Sequence, residues 1–297
     1  MRIGNAPVSW GVDYADAPGN PPWERVMDEI AQAGYRATEL GPLGYYPTDP
    51  ARLRPEFARR GLAVTAGFVF QPLHEPSRRG EVLGVARRTL DLLGALGAGV
   101  LVVIDHVSEE RMATAGRPGL ARRLPPDRFR AMVDVIDAIA DLALARGVRA
   151  ALHQHAGCFI ETEDEVEAVL AAVEPERLAL CVDTGHLSYA GIDAIALFRR
   201  HAARTAHFHF KEVDGAVHAR ALAAGIPFLP ATALGVFCPL GRGGFDWPAL
   251  ARAVAEAGYA GAATVEQDVD PAVGPQPLAD ARESLAYLRG VGFRDGP

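Results

Sequence analysis

Residues 149–210 read RAALHQHAGCFIETEDEVEAVLAAVEPERLALCVDTGHLSYAGIDAIALFRRHAARTAHFHF, and this stretch decides the fold. Short β-rich runs alternate in it with longer amphipathic runs that are rich in Ala, Leu and Arg. The predicted strands are 149–153, 178–182 and 206–210, and the predicted helices are 161–173 and 192–202. Strands that alternate with helices predict crossover connections and a parallel sheet.

The same alternation extends towards both ends of the chain. Further strands are predicted at 2–8, 37–40, 63–68, 100–104 and 262–266, and further helices at 22–33, 50–60, 79–96, 125–146, 247–256 and 277–289. Glycines just past helix ends support these boundaries, because glycine adopts the left-handed conformation that ends a helix. Prolines at helix starts support them as well, because the first turn does not use the amide that proline lacks.

Eight strand–helix units in 297 residues predict an α/β fold, a single (β/α)8 TIM barrel over residues 1–297. In such a barrel the active site lies at the C-terminal face of the strands. A doubly wound open sheet is the alternative, but it usually has a Gly-rich phosphate loop after its first strand, where this chain has PVSWG at 7–11. Two long loops, 105–124 and 211–245, follow strands and are expected to act as lids.

Composition and charge exclude several classes of protein. Lys and Arg number 30 against 37 Asp and Glu, and the net charge of −7 disfavours a nucleic-acid partner. No apolar stretch of about 18 residues predicts a membrane span, and no signal peptide is expected from the residues at the start of the sequence. Cys158, Cys181 and Cys238 form no CxxC pair, so a reducing, cytoplasmic compartment is expected. The expected partner is a small molecule, and a homo-oligomer, a dimer or tetramer, is possible.

Polar side chains stand at the ends of the last four predicted strands. They are His153 and His155 on the fifth, Asp183 and His186 on the sixth, His207, His209 and Lys211 on the seventh, and Glu266 on the eighth. These strand ends are neighbours on one rim of a barrel, so two carboxylates and several imidazoles are expected to converge. A mixed oxygen and nitrogen shell suits a divalent ion such as Mn²⁺, Co²⁺, Mg²⁺ or Zn²⁺.

Each of these residues also has a structural interpretation. A histidine at a strand end is often only hydrogen-bonded, Asp183 can be a helix N-cap, and Glu266 can be a salt-bridge partner. Their occurrence together at four consecutive strand ends favours the metal site.

Two of these strand ends, VDTGH at 182–186 and HFHFK at 207–211, resemble the xylose-isomerase-like TIM-barrel superfamily of sugar isomerases, epimerases, dehydratases and type IV apurinic endonucleases. Nearly the whole chain takes part in the resemblance. Within the superfamily the chain is similar to the inosose dehydratases. The segments that carry this likeness are PVSW at 7–10, ELG at 39–41, HQHAG at 153–157, GHLSYAG at 185–191, GVFCPLG at 235–241 and GFD at 244–246.

The resemblance implies a single divalent metal, Mn²⁺ or Co²⁺ before Mg²⁺ or Zn²⁺. It implies the ligands His153, Asp183, His209 and Glu266. The isomerases and epimerases usually have a glutamate at the fifth strand, where this chain has two histidines. Because positions two apart share a face of a strand, alternation cannot choose between His153 and His155.

The implied reaction is dehydration of a cyclic keto-polyol, 2-keto-myo-inositol, through a metal-stabilised enolate. The candidates for proton transfer or catalysis are His186, His155, Lys211 and Glu39. Lys211 has a salt bridge as its structural alternative, and Glu39 has an ion pair or the orientation of a ligand. The predicted substrate-binding residues are Trp10, Gln154 and Asn5, of which Asn5 can instead be a buried hydrogen-bonding residue. Further ring-stacking candidates are Tyr45, Tyr46, Phe68 and Phe70.

Three other functions are weighed against the dehydratase. A sugar isomerase or epimerase uses the same enolate, but it needs acids or bases on opposite faces of the ring. A metal-dependent apurinic endonuclease would recruit further ions, for which His74 and His106 are candidates, but the chain has one lysine and no basic groove. The third is a non-catalytic sugar-binding barrel, which the intact set of site residues disfavours.

Overall fold

A closed barrel of eight parallel strands forms the centre of the molecule. The computed structural model describes residues 1–270 and 276–294. The strands are β1 (Arg2–Asn5), β2 (Ala37–Glu39), β3 (Ala63–Gln71), β4 (Val100–Asp105), β5 (Arg149–His153), β6 (Leu178–Asp183), β7 (Thr205–Phe210), β8 (Glu212–Val213), β9 (Phe237–Cys238) and β10 (Ala262–Val265). Around the barrel the order is β1-β10-β7-β6-β5-β4-β3-β2, while β8 and β9 form a separate antiparallel pair. The predicted barrel is confirmed.

The helices surround the strands. They are α1 (Trp23–Ala33), α2 (Pro50–Arg60), α3 (Arg79–Leu96), α4 (Glu109–Met112), α5 (Pro126–Leu144), α6 (Glu163–Ala172), α7 (Thr184–Tyr189), α8 (Ala194–His201), α9 (Gly215–Ala223), α10 (Phe228–Ala233), α11 (Trp247–Glu256) and α12 (Pro277–Gly290). The predicted bounds of α2, α3 and α11 are reproduced. None of the helices in the described residues is long and apolar enough to cross a membrane.

Several parts of the chain differ from the sequence prediction: β3 continues to Gln71, and the short helices α4 and α7 were not predicted. The first strand ends at Asn5 and not at residue 8, because Pro7 lacks the amide that a strand ladder needs and starts a 3₁₀ turn, Pro7–Trp10. The predicted loop 211–245 contains α9, α10 and the β8–β9 pair. These elements pack through Phe228 and Phe237 into a small apolar cluster that they share with Ala115, Ala156 and Tyr189, so this long connection is a structured cover over the rim of the barrel.

The interior of the barrel changes in polarity along its axis. Small and branched apolar side chains fill one level, among them Ala66, Val102, Ala151 and Ala179. Towards the carboxyl ends of the strands the interior side chains are polar and buried. The outer faces of the strands pack against the helices in the main hydrophobic core. The three cysteines lie buried as free thiols.

Candidate active site

Strand β7 shows how the barrel presents polar groups. Along it, His207, His209 and the following Lys211 alternate with Phe208 and Phe210. The two phenylalanines belong to the outer core, while the alternate residues point inward, as the period of two requires. All three inward side chains are at most 2% exposed. One strand therefore delivers two imidazoles and an ammonium group to the barrel interior.

The four predicted metal ligands, His153, Asp183, His209 and Glu266, lie together. Nε2 of His153 is 3.2 Å from Oδ2 of Asp183. Nδ1 of His209 is 3.6 Å from the same oxygen and 3.2 Å from Oε2 of Glu266. The candidate ligand atoms of His153, Asp183 and His209 lie within 4.8 Å of one another. Two imidazoles and two carboxylates at these distances can hold a divalent cation.

Asp183 has two roles because its two oxygens face different groups. Oδ1 accepts a hydrogen bond of 2.7 Å from the amide of His186 and so caps α7. Oδ2 faces His153 and His209. The helix-cap interpretation and the ligand interpretation of this residue are therefore compatible, and the cap fixes the orientation of the carboxylate.

Glu39 lies behind His209 and fixes the orientation of its ring. Oε1 of Glu39 is 3.0 Å from Nε2 of His209 and 2.8 Å from Nε2 of His207. A carboxylate oxygen can only accept, so these nitrogens carry the protons and Nδ1 of a neutral His209 has a lone pair. That Nδ1 is buried, has no hydrogen-bond partner and faces two carboxylate oxygens. Acceptors that face acceptors need a positive charge between them, which either a proton on Nδ1 or a metal ion supplies, and this donor set fits a divalent cation.

The electrostatics of the cluster agree with this need. Burial opposes charge on His209, but the Cys181 thiol and the carboxylates of Glu266 and Glu39 hold the pKa of this imidazole well above its usual value. Burial lowers the pKa of His153 to about 4, so this ring is neutral and keeps a lone pair for a metal at neutral pH. Burial would raise the pKa of Asp183, but Lys211 and His186 hold it well below its usual range.

Lys211 lies beside this cluster among a second set of polar groups. Its Nζ is 2.7 Å from Oδ1 of Asp268, 3.0 Å from Nε2 of His186 and 3.2 Å from Oε2 of Glu266. Although burial favours the neutral amine, Asp268, Asp183 and Glu266 hold the pKa of Lys211 above its usual value. Lys211 is therefore an ammonium donor in this site and not a base. The predicted salt bridge and a role in the site both apply.

His155 faces the second set of groups and not the first. Its ring lies 3.8 Å from the ring of His186, centroid to centroid. Nδ1 is 2.8 Å from the carbonyl oxygen of Ala156 and must donate to it, so a neutral His155 has its lone pair on Nε2. Burial and the adjoining His186 lower the pKa of His155 well below its usual value. Of the two histidines of the fifth strand, His153 thus lies in the cluster with Asp183 and His209, and His155 lies beside His186.

These groups line a chamber of about 180 Å³ at the mouth of the barrel. Its polar wall contains His153, His155, His186, His209, Lys211, Glu266 and Asp268, and its opposite wall contains Phe68, Phe70, Ile104 and Val107. Phe228 and Leu229 of α10 also line it, which supports the prediction that the loop over residues 211–245 covers the site. Pockets for drug-sized ligands measure about 300–1,000 Å³, so this chamber suits a single small ring.

The three predicted substrate-binding residues do not line this chamber. Trp10 is buried, and its indole N–H donates to Glu29 at 2.6 Å. Asn5 is fully buried and accepts from the amide of Ala6, as its structural alternative expects. Gln154 donates to the carbonyl oxygens of Glu161 and His186 and so ties the ends of β5 and β6 together. Because these three residues lie outside the chamber, their placement favours a role in holding the site residues in position over contact with a substrate.

The other candidates divide between the chamber and the outer shell. Phe68 and Phe70 line the chamber, whereas Tyr45 and Tyr46 are buried, and Tyr46 packs edge-to-face against Phe57. His74 is held by Asp105, with Nδ1 at 2.8 Å from Oδ1. His106 contacts the hydroxyl of Tyr14. Within residues 1–270 and 276–294, neither of these two histidines belongs to a cluster that can hold a metal.

Sequence reasoning missed two acidic residues of the chamber. Asp268 follows Glu266 by two positions and therefore shares its face, a signal that the strand period offered. Asp13 lies in the segment after β1, and no pattern marks it. Enclosure at the chamber mouth and the neighbouring Asp268 raise the pKa of Asp13 to about 7.

The barrel and this polar rim define a class of protein. The chain matches the family described as "Xylose isomerase-like TIM barrel" over residues 27–291, and it belongs to that family. The resemblance seen in the sequence is confirmed.

Named relatives narrow the class further. "Rhizopine catabolism protein MocC" of Rhizobium meliloti is 33% identical over 99% of this chain and 90% of the relative. "Inosose dehydratase" of Geobacillus kaustophilus (strain HTA426) is 30% identical over 97% of this chain and 94% of the relative. The chain is an enzyme of this family.

Solved structures share the fold at low sequence identity. The IolI protein with a bound zinc atom superposes with a TM-score of 0.74 at 16% identity, covering 98% of each chain. D-psicose 3-epimerase from Clostridium cellulolyticum H10 superposes with a TM-score of 0.71, also at 16% identity, covering 98% of this chain and 99% of that chain.

Proposed function

We propose that this enzyme is a divalent-metal-dependent dehydratase that removes water from a cyclic keto-polyol, with 2-keto-myo-inositol as the expected substrate. The observation that carries the proposal is the convergence of His153, Asp183, His209 and Glu266 beside a chamber of about 180 Å³. Similarity to the inosose dehydratases over nearly the whole chain supports the choice of substrate class.

The four converging side chains would hold the metal. A divalent cation bound there supplies Lewis acidity, which stabilises negative charge on a ketone oxygen when the neighbouring carbon loses its proton. Glu39 keeps the Nδ1 lone pair of His209 directed at the cluster, because its carboxylate accepts from Nε2. The Asp183 cap on α7 holds the carboxylate in place before any ligand arrives.

His155 is the best candidate to accept the α-proton. Its Nδ1 proton is committed to the carbonyl oxygen of Ala156, so the free lone pair on Nε2 is available to the chamber. A positioned base of this kind contributes typically about 10²–10⁴-fold. Phe228 and His186 pack against the ring and hold its orientation.

Lys211 and His186 are the candidates to protonate the departing hydroxyl. The ammonium of Lys211 is charged and lies 3.0 Å from Nε2 of His186, which in turn lies 3.4 Å from Oδ2 of Asp268. A proton given to the hydroxyl leaves with it as water, and the proton taken by His155 balances the charge. Nε2 of His186 can either accept from Lys211 or donate to Asp268, but not both, so the ammonium of Lys211, which also contacts Asp268 at 2.7 Å, is the direct proton source.

The alternative is a sugar isomerase or epimerase on the same scaffold, which D-psicose 3-epimerase illustrates for the fold. Inversion at carbon needs a proton donor and a proton acceptor on opposite faces of the ring. In the described chamber the imidazoles, the ammonium and two carboxylates stand along β5, β6, β7 and β10. Asp13 and Tyr14 line it from the segment after β1, and the side chains from β3 and β4 are apolar. The imidazoles and the ammonium, which the proposed proton transfers use, lie on one side of the chamber and favour elimination.

The test is turnover of 2-keto-myo-inositol by protein stripped with a chelator and then loaded with Mn²⁺, Co²⁺, Mg²⁺ or Zn²⁺ separately. We expect no activity without metal, restored activity with at least one ion, and an absorbing dehydrated diketone as product. Reaction in deuterated water distinguishes the alternative, since an epimerase exchanges the α-hydrogen and loses no water. Metal-loaded protein that epimerises keto-sugars but leaves inososes unchanged would overturn the dehydratase.

A further inference from the structure

The ammonium of Lys211 lies where four groups could accept a cation. Besides Asp268, His186 and Glu266, it faces Oδ2 of Asp183 at 3.6 Å. The lysine is 2% exposed, so water does not screen these contacts. Carboxylates and an imidazole surround this buried positive charge, and the same groups commonly surround a bound metal ion.

Two of these side chains, those of His186 and Asp268, form a second cluster with metal-ligand spacing together with His155. One ligand atom each from His155, His186 and Asp268 lies within 4.8 Å of the other two. Oε2 of Glu266 is 3.2 Å from Nδ1 of His209 and 3.2 Å from Nζ of Lys211, so Glu266 faces both clusters. The two clusters are therefore adjacent, and the ammonium of Lys211 lies against His186 and Asp268 of the second.

The chain is built to keep the lysine there. A Cβ atom added to Gly185 would lie 2.5 Å from Cγ and 2.6 Å from Cβ of Lys211, so only glycine leaves room for the aliphatic stem. The hydroxyl of Thr184 accepts from the amide of Lys211 at 2.9 Å and donates to its carbonyl oxygen. The ring of Phe237 lies 5.4 Å from Nζ and closes the remaining side.

We propose that the Lys211 ammonium occupies a second cation site, and that its removal opens this site to a divalent metal ion held by His155, His186 and Asp268. Because the ammonium group occupies this place, the positive charge beside the first cluster is one that can donate protons. A second metal would supply charge without a proton donor, so Lys211 preserves an acid beside the first cluster.

The experiment counts bound Mn²⁺ in the full chain. Wild type and Lys211→Met are stripped with a chelator, dialysed to equilibrium against Mn²⁺, and analysed for metal per chain by elemental analysis. We expect Lys211→Met to bind one more Mn²⁺ per chain than wild type, with a spin-coupled manganese pair in electron paramagnetic resonance. Lys211→Arg keeps the charge and is expected to bind the same number as wild type.

Two further variants complete the test. Lys211→Gln preserves a polar side chain of similar length and replaces Lys211→Met if circular dichroism shows that the methionine variant does not fold. Adding Asp268→Asn to the neutral variant is expected to remove the additional ion. The proposal is overturned if a folded neutral variant binds the same number of Mn²⁺ ions as wild type.

The difference in bound Mn²⁺ per chain between the neutral variant and wild type tests this inference. The number of Mn²⁺ ions bound by wild type tests the metal site of the proposed function. Wild type that binds no metal, with a neutral variant that binds one, would contradict the proposed function and support the second cation site.

Discussion

The two halves of the chamber wall come from one barrel and differ completely in chemistry. Strands β5, β6, β7 and β10 end in imidazoles, carboxylates and an ammonium, whereas β3 and β4 present Phe68, Phe70 and Ile104. The strands pair in parallel through both halves, with a register shift between Leu180 and Cys181 where β6 meets β7. The difference therefore lies mainly in which residue ends each strand, and one barrel can carry a reactive half beside an apolar one.

The apolar half also affects the polar one. Charges act over a lower effective dielectric when apolar walls exclude water, so each contact in the polar half is stronger than it would be at an open surface. An apolar wall also offers a flat surface to the carbon face of a ring. We therefore expect substitutions in the polar half to reduce metal affinity and turnover, and substitutions in the apolar half to affect mainly KM.

The largest effect is expected for Asp183→Asn. Asparagine caps a helix about as well as aspartate, so α7 keeps its cap, but the anionic ligand is lost. Lewis-acid stabilisation is worth several kcal/mol and each 1.4 kcal/mol is about tenfold, so we expect kcat/KM to fall at least about 10³-fold. Steady-state kinetics and a Mn²⁺ titration measure both losses.

Asp193→Asn is the matched control for that substitution. Asp193 caps α8 through the amides of Ile195 and Ala196 and does not line the chamber. It is expected to leave turnover and metal affinity unchanged. Equal metal affinity in Asp183→Asn and wild type would exclude Asp183 as a ligand.

A smaller effect is expected for Glu39→Gln. The amide keeps one acceptor but loses the charge that holds Nε2 of both His207 and His209. Loss of such an orienting partner typically lowers metal affinity about 10–100-fold, and we expect the Kd for Mn²⁺ to rise by that factor. Glu24→Gln, at an exposed position of the outer helix α1, serves as the control and should not change it. If Glu39 instead contacts substrate, KM rises while the Kd for Mn²⁺ stays constant.

Most of the fold could be predicted because its signals are local. Proline at residue 50 and glycine at residue 61 bracket α2, and the predicted bounds coincide with the observed ones. The convergence of His153, Asp183, His209 and Glu266 could also be predicted, since four consecutive strand ends carry these residues and a closed barrel brings such ends together. The sequence did not reveal the short α7, because its N-cap, Asp183, is also the candidate metal ligand of the same motif.

The sequence alone could not predict how far along the barrel axis each inward-pointing side chain lies. Glu39 and His209 both point inward, but only the stagger of the strands places Glu39 beneath the imidazole and out of the chamber. The same limit applies to Trp10, whose indole turns outward to Glu29 on α1. Asp13 reaches the chamber from a segment without periodicity, and its contribution depends on neighbours that are distant in the chain.

The smallest effect is expected in the apolar half, for Phe70→Ala. Phe70 stacks on His106 with ring centroids 4.5 Å apart and lies 5.4 Å from the ring of His155. An aromatic contact is worth about 0.5–1.5 kcal/mol beyond its buried area, so we expect KM for the keto-polyol to rise roughly 3–10-fold with kcat within a factor of about two. Phe129→Ala removes a half-buried ring from the outer helix α5 and should leave KM unchanged. If Phe70→Ala instead lowers kcat as far as the substitutions of the polar wall do, the apolar wall must orient His155 for proton transfer, and the division of labour between the two halves is wrong.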